Sequence, residues 1–549
     1  MLSIFAAGVL ARLFFVQCLG HEVWIHHAVD QHRRLGKIPA RRGNILDSRG
    51  SVLSCSVDSP SLYAVPLEVD DPAAAAALLA PALDLDYETI RARLDSDRSF
   101  TWIKRHLSPG EKEAVEALNL PGLGFRVEKK RVYPKGTMLS NVLGLTDVDG
   151  NGIEGLEAMF DRQLRGRDGW RLTERDRMLR EAVWFRIEDI PPVDGCSLVL
   201  TVDEVIQDIA EDELRQAVAE HEAAWGTALV MDCRTGDVLA LANLPDFDPN
   251  RFPRPAAGVR RNRAITDPIE PGSTFKVFAG AAALEAGVVT PETSFYCENG
   301  SFRIGGVVLH DSHPLGTLTF AEIIRHSSNI GMAKVGMLLG EDDLYRTLKR
   351  FLVGEKTGIQ LPGESAGILR PVGRWSKISL RSITMGHEVS LTPLGLLIAF
   401  AAFGNDGIVP APRLVKRIET ADGAALRSYP VSNLGRAVAA ATAAEMLEIL
   451  TTVVEEDGTG SRARIPGYRV AGKTGTAQKP GPDGTYSHRL YRSLFMGMFP
   501  AGDSYIAILV MLDEPQGAYY GGTVAAPAFK RIGERIIRYL QLPPSEETA

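Results

Sequence analysis

Apolar residues crowd the start of the chain, where Met1 to Leu19 contains only Ser3, Arg12 and Gln17 as polar positions. No small-residue cleavage site follows, so the segment reads as an uncleaved membrane anchor over residues 1–24 rather than a signal peptide. A spanning helix needs about 20 apolar residues, and Arg12 near the middle is costly in hydrocarbon. The run is short, which predicts that the recorded start lies inside the anchor; a buried amphipathic helix is the alternative. From His21 to Ala40 the chain turns polar and rich in His and Arg, as a juxtamembrane helix or stalk would be.

Beyond that point the pattern predicts alternating strands and helices. Asn44-Ile45-Leu46 and Ser51-Val52-Leu53 flank Asp47-Ser48-Arg49-Gly50, a hairpin signal. Residues 67–120 read as helical, with an Ala-rich helix at 73–82 and a charged one from Pro109 to Leu118. Residues 122–195 are Gly-rich and charged, with many short turns. This first half, residues 25–203, is an α+β scaffold without repeats or a catalytic cluster.

In the second half, residues 204–541, Leu198 to Val202 predicts a lead-in strand and Asp203 caps a helix over Glu204 to Glu220. Thr227 to Asp232 and Asp237 to Asn243 form an apolar hairpin around Cys233-Arg234-Thr235-Gly236. Helices follow near 320–349, 392–403 and 438–456. Strands are expected at Tyr468 to Ala471, Ser493 to Phe499 and Tyr505 to Leu512, and an amphipathic helix near Ala525 to Leu540 precedes a polar tail, 542–549. An early hairpin and three late strands, with helices between and after, predict an α+β domain: a five-stranded antiparallel sheet carrying helices on both faces plus a helical insert.

Composition narrows the function. The 549 residues are 45% hydrophobic and 23% charged, enough for two to four domains with a substantial core. A net charge of −7 gives no reason to expect a nucleic-acid partner. The five cysteines lack Cys-x-x-Cys spacing, and His387-Glu388 has no second His three residues on, so neither metal nor cofactor is expected.

The candidate chemistry lies in the helical insert. Pro271-Gly272 breaks the preceding chain, and Ser273-Thr274-Phe275-Lys276 opens an Ala/Leu-rich helix that stops at Gly287. Ser273 and Lys276 then share one helix face. Lys276 is the only charge in an apolar run, so burial should disfavour its ammonium form and make it a base. Alone, this pattern is equally a serine cap with a surface lysine. Ser327-Ser328-Asn329 and Lys473-Thr474-Gly475-Thr476 supply the remaining elements of the order Ser-x-x-Lys, Ser-x-Asn, Lys-Thr-Gly.

Two decoys imitate known motifs. Lys356-Thr357-Gly358 repeats the third motif but follows a helix, where no extended edge can take up a peptide. Gly467 to Thr474 matches a phosphate-loop pattern but lacks the helix such a loop must enter.

With these motifs, and with Arg42-Gly43-Asn44-Ile45-Leu46-Asp47, Gly152-Ile153-Glu154-Gly155 and Glu270-Pro271-Gly272-Ser273, the chain resembles the class B penicillin-binding proteins. These are monofunctional peptidoglycan D,D-transpeptidases. Ser327 to Gly331 and Leu361-Pro362-Gly363-Glu364 are more similar to the cell-division branch than to the elongation branch. The resemblance implies a pedestal of the family's dimerisation type over 25–203 and a transpeptidase domain over 204–541. It implies that Ser273 attacks a D-Ala-D-Ala stem peptide and that neutral Lys276, aided by the positive charge of Lys473, takes the hydroxyl proton. Ser327 would relay a proton to the leaving amine, and Asn329 would bond the substrate backbone. Lys473, Thr474 and Thr476, around Gly475, would hold the terminal carboxylate, with the N–H groups of Ser273 and Thr476 as oxyanion hole.

Implied partners are an amine acceptor on a neighbouring stem, β-lactams as inhibitors, a separate membrane glycan polymerase and division proteins. The implied place is the bacterial cytoplasmic membrane, crossed once, with the catalytic domain outside. An elongation enzyme, a serine β-lactamase or carboxypeptidase, and a non-catalytic division scaffold are the competing readings. The segment between Asn329 and Lys473 shows no loop resembling a deacylating Glu, against the second, and three intact motifs stand against the third.

Overall fold

The computed structural model describes residues 2–19, 33–175, 181–251, 254–304, 307–480 and 486–545. The second half is built on the five-stranded antiparallel sheet that the pattern predicts. Its strands are β1 (Trp225–Asp232), β2 (Val238–Leu244), β3 (Ala471–Pro480), β4 (Tyr486–Ala501) and β5 (Ser504–Asp513), in the spatial order β2-β1-β5-β4-β3.

Alternation of side chains along a strand assigns each face its partners. On β1, Ala228 and Val230 face a cluster with Ile206, Leu214, Phe529 and Ile532, from helices α1 (Glu204–Glu220) and α7 (Ala526–Leu540). Leu229 and Met231 face the opposite cluster, which holds Phe275, Phe278, Leu397 and Phe400. That side receives helices α2 (Lys276–Glu285), α3 (Phe320–His326), α4 (Asn329–Leu339), α5 (Pro393–Ala401) and α6 (Ala440–Thr452). Each fully buried Phe or Leu contributes about 1.5–3 kcal/mol of transfer free energy.

Asp203 caps α1, accepting from the N–H groups of Val205 and Ile206 at 3.0 and 3.2 Å. The expected strand at Tyr468 to Ala471 lies instead at Ala471–Pro480, so Lys473 stands within a strand rather than after one. The shift has a physical cause. β3 is the sheet's edge, and its Lys473, Thr474 and Gly475 are buried against the helical insert without being apolar, so hydrophobicity does not mark them.

In the first half, Ile45–Leu46 and Val52–Ala64 pair as the expected hairpin, and helices occupy Pro72–Leu83 and Pro109–Ala117. Two strands depart from the expectation. Thr101–Lys104 interrupts the supposed helical region, and Leu123–Val132 replaces the supposed turns. The latter pairs with Val52–Ala64 from Cys55↔Val132 to Ala64↔Leu123. Its Arg126, Glu128 and Arg131 hide the strand alternation, because charged positions on a half-solvated ribbon are stabilised by partners such as Arg105 on Glu128.

Ile45–Leu46 also pairs in parallel with Ser197–Leu200, which pairs with Val415–Glu419, so one sheet runs through both halves. At the N-terminus an α-helix, Leu2–Phe14, passes into a π-helical turn, Phe15–Leu19. Among the described residues no helix is long and apolar enough to cross a membrane. The rest of the expected anchor, 20–24, lies outside the described residues. The expected stalk also lies mostly outside them, and Arg33–Ile38 is a strand.

Candidate active site

The nucleophile turn is a short 3-10 segment, Gly272–Phe275, that feeds directly into α2. Gly272 has φ +54°, a conformation that a Cβ would strain. The Ser273 side chain is half-buried, and its carbonyl accepts the backbone N–H of Lys276. Thr274, fully buried, ties its hydroxyl to the Pro271 carbonyl at 2.7 Å. All of α2 from Lys276 to Leu284 is buried, so the lysine enters the core on a helix that has no solvent face.

Three motifs far apart in the chain meet here. Lys276 Nζ donates to Asn329 Oδ1 at 2.8 Å, to Ser327 Oγ at 3.2 Å and to the Ser327 carbonyl. From the other side, Lys473 Nζ donates to the same Ser327 Oγ at 2.9 Å and to the Thr474 carbonyl at 3.3 Å. The Ser327 hydroxyl thus bridges two lysines, both with 0% exposure.

Burial depresses both amines, because an ammonium loses its hydration there. Lys276 falls to about 7, with the Asp311 carboxylate opposing the fall. Lys473 falls well below its usual range, first through burial and then through the charge of Lys276. Burial, as expected from the apolar run around it, is thus what lowers Lys276, while the charge coupling between the two lysines acts on Lys473.

The Ser-x-Asn turn is held by local geometry. Ser327 ends α3 with φ +59°, and Ser328 caps α4, its Oγ accepting from the Gly331 N–H at 2.9 Å. Asn329 Nδ2 donates to the His310 carbonyl at 2.9 Å, which leaves Oδ1 as the acceptor facing Lys276. Asp311 anchors the whole turn. Its carboxylate accepts from Ser328 Oγ at 2.7 Å, from the Ile330 N–H at 3.1 Å and from the Asn329 N–H. A carboxylate at a helix start is favoured by the orphan N–H groups there. Sequence reasoning missed Asp311, which lies in no motif.

On β3, Gly475 packs so tightly on the nucleophile turn that a Cβ would stand 2.8 Å from Thr274 Cγ2 and 3.2 Å from the Pro271 carbonyl. Thr474 Oγ1 donates to Thr459 Oγ1 at 3.0 Å, and Thr476 Oγ1 accepts the Gly521 N–H at 3.1 Å. Thr459 is a further neighbour that no motif announced. A cavity of about 260 Å³ opens beside the site, lined by Asp311, Ser327, Ser328 and Thr459 among others.

Both decoys are structural. Thr357 donates its N–H and hydroxyl to Glu364 at 2.7 and 2.5 Å, which closes a loop. The segment from Gly467 runs into β3, with no helix after Lys473. Among the described residues no cluster of His, Cys, Asp and Glu could hold a metal ion.

An acyl transfer needs a nucleophile, a neutral base, a proton relay and an edge strand to align a peptide; the structure brings Lys276, Ser327, Asn329 and Lys473 into hydrogen-bond contact beside the turn that carries Ser273, whose hydroxyl bonds none of them. Residues 226–534 match the model of the penicillin binding protein transpeptidase domain, and residues 37–200 match that of the penicillin-binding protein dimerisation domain. The chain is 34% identical to a probable peptidoglycan D,D-transpeptidase, PenA, of Neisseria meningitidis serogroup B, over 99% of this chain and 92% of the relative. It is 33% identical to the peptidoglycan D,D-transpeptidase FtsI of Escherichia coli K12, over 99% and 91%. Among solved structures, a peptidoglycan synthetase of Bifidobacterium adolescentis is similar at TM-score 0.75 and 27% identity, covering 94% of this chain and 98% of that one. Penicillin binding protein 3 of Mycobacterium tuberculosis, complexed with aztreonam, is similar at TM-score 0.73 and 29% identity, covering 93% and 98%.

Proposed function

The chain belongs to the class B penicillin-binding proteins, peptidoglycan D,D-transpeptidases, and from that premise we propose that Ser273 is the nucleophile that carries the acyl group between stem peptides. The observation that carries this reading is the pair of buried lysines sharing the Ser327 hydroxyl. In this mechanism neutral Lys276 accepts the Ser273 proton as Oγ attacks the carbonyl of the penultimate D-Ala. The N–H groups of Ser273 and Thr476 receive the developing oxyanion, at about 3 kcal/mol per donor in comparable sites. Ser327, in reach of both amines, passes the proton to the departing D-Ala amine. An amine on a neighbouring stem then takes the acyl group, and the same relay runs in reverse.

Lys473, Thr474 and Thr476 take up the donor's terminal carboxylate. The substrate-free site disfavours charge on both lysines, and an incoming carboxylate supplies the counter-charge that restores the Lys473 ammonium. Binding energy of the correct donor is thereby linked to the charge pattern that the reaction uses. Asn329, fixed between Lys276 and the His310 carbonyl, orients the donor's backbone.

We further assign the chain to septal wall synthesis, on the likeness of Ser327 to Gly331 and Leu361 to Glu364 to the cell-division branch, alongside its similarity to the peptidoglycan D,D-transpeptidase FtsI. In this reading its apolar N-terminal helix belongs to a single membrane anchor, with residues 25–203 as pedestal and 204–541 outside the cytoplasmic membrane. A separate glycan polymerase and division proteins are its expected partners there. The test is labelling with a fluorescent penicillin: stoichiometric label on the native protein, none on Ser273→Ala, and label gathered at mid-cell in dividing bacteria. Fast catalytic turnover of the β-lactam, or labelling of the Ser273→Ala protein, would overturn the assignment.

A further inference from the structure

Glu270 stands immediately before the nucleophile turn, and its surroundings differ from those of Asp513 and Glu157. Asp513 is paired with Lys479 and Arg492, and Glu157 with Arg42 and Arg131. Glu270 has no lysine or arginine partner among the described residues. Its oxygens accept the Tyr486 hydroxyl at 2.8 and 3.1 Å and the Glu388 N–H at 3.1 Å, and His387 Nδ1 lies 3.3 Å away. The His387 ring meets Tyr486 edge-on at 5.6 Å. Glu388 is itself an acid, and its carboxylate accepts the Ser379 hydroxyl at 2.6 Å. Burial raises the Glu270 pKa, but the hydrogen bonds from His387 and Tyr486 outweigh it and leave the group below the ordinary range. The result is an ionised carboxylate, 26% exposed, whose partners among the described residues, His387 and Tyr486, include no permanent cation.

Its position along the cleft says what could supply one. β3 is the edge of the sheet and runs from Lys473 past Thr476 to Pro480, which pairs with Tyr486. A peptide added antiparallel to that edge, with its carboxylate at Lys473 and its scissile carbonyl at Thr476, continues towards Pro480 at about 3.3 Å per residue. The residue before the penultimate D-Ala then lies beside Ala477 and Gln478, and a long side chain on it extends towards the end of β3, where Tyr486 and Glu270 meet. The acceptor amine belongs to a neighbouring stem of the same polymer, so an uncross-linked donor stem carries such an amine too.

We propose that Glu270, held by Tyr486 and His387 beside the nucleophile turn, selects the donor by binding the free side-chain ammonium of a diamino acid at the third position of its stem. Glu270 is a specificity-determining residue in this account, and the inference rests on the transpeptidase reading. A donor whose side-chain amine has already been acylated is a poorer substrate, so the enzyme favours stems that are not yet cross-linked through that amine.

The test uses two stem-peptide thioesters that differ only in whether the third residue's side-chain amine is free or acetylated, with acyl-enzyme followed by intact mass. The native protein should prefer the free amine by about tenfold, as an ammonium–carboxylate contact would give, and E270Q should bring the ratio close to one. Equal rates for both donors on the native protein would overturn the proposal. So would an E270Q variant that slows both donors by one factor and keeps the preference, since that marks a purely structural residue. Should E270Q fail to fold, salt decides on the native protein: a charge-based preference shrinks as salt rises, and a salt-independent one overturns the proposal. If the native protein forms no Ser273 adduct even with a penicillin, the transpeptidase reading itself falls, and this inference with it.

Discussion

Lys276 and Lys473 donate to a single oxygen, Ser327 Oγ, at 3.2 and 2.9 Å, from opposite walls of a buried cleft. One lysine comes from a helix core and the other from a sheet edge, so the hydroxyl between them exists as a relay only when the two halves of the domain are correctly packed.

The pKa of Lys276, lowered by burial to about 7, sets a pH profile. The neutral amine is the active form and is populated above the pKa, so acylation of Ser273 by a penicillin should rise with pH through about 7 and level off above it. Stopped-flow rates between pH 5.5 and 9 check this, and a rate that falls across that range contradicts it.

Ser327→Ala removes the shared acceptor while leaving both amines in place. Loss of a positioned proton relay costs about 10²-fold or more, read as the second-order rate of penicillin acylation. Thermal stability should fall modestly as well, because Lys473 keeps only the Thr474 carbonyl as acceptor.

Asp311→Ala deprives Ser328 Oγ and two backbone N–H groups of their acceptor. Leaving such groups unpaired costs about 1–3 kcal/mol, so the melting temperature should fall. Acylation should fall with it, because Asn329 loses its seat. Denaturant unfolding and acylation rates measured on the same preparation check both.

Gly475→Ala places a methyl 2.8 Å from Thr274 Cγ2 and pushes β3 off the nucleophile turn. Overpacking of this kind costs about 1–3 kcal/mol, and penicillin acylation should drop steeply in protein that remains folded by circular dichroism.

Lys356→Ala, in the second Lys-Thr-Gly, should leave acylation unchanged. That loop is closed on Glu364, and Lys356 itself is exposed. A loss of labelling would mean that the wrong motif has been assigned to the cleft.

Much of this was legible in the residues. Asp203 before α1, the apolar hairpin of β1 and β2, and the amphipathic α7 follow from capping and periodicity alone. The motif serines and lysines were legible as a set because their order is informative even where each is weak. What hid was polar structure in buried places. β3 is written in Lys, Thr and Gly, and hydrophobicity cannot find a strand whose buried face is a catalytic cleft. The Leu123–Val132 strand was masked by its Arg and Glu positions, of which Glu128 pairs with Arg105 and Arg131 with Glu157. Asp311 was invisible for another reason: its role is a contact with a turn distant in the chain, and nothing around it in sequence announces a helix cap there.

The strand Val415–Glu419 leaves the catalytic half to pair with Ser197–Leu200, which pairs in turn with Ile45–Leu46. Joined by rungs of amide and carbonyl rather than by a swivelling tether, the two halves cannot yaw independently. A pull exerted on the pedestal is therefore felt as shear in the framework around the cleft, and the molecule behaves as a strut along which mechanical load travels.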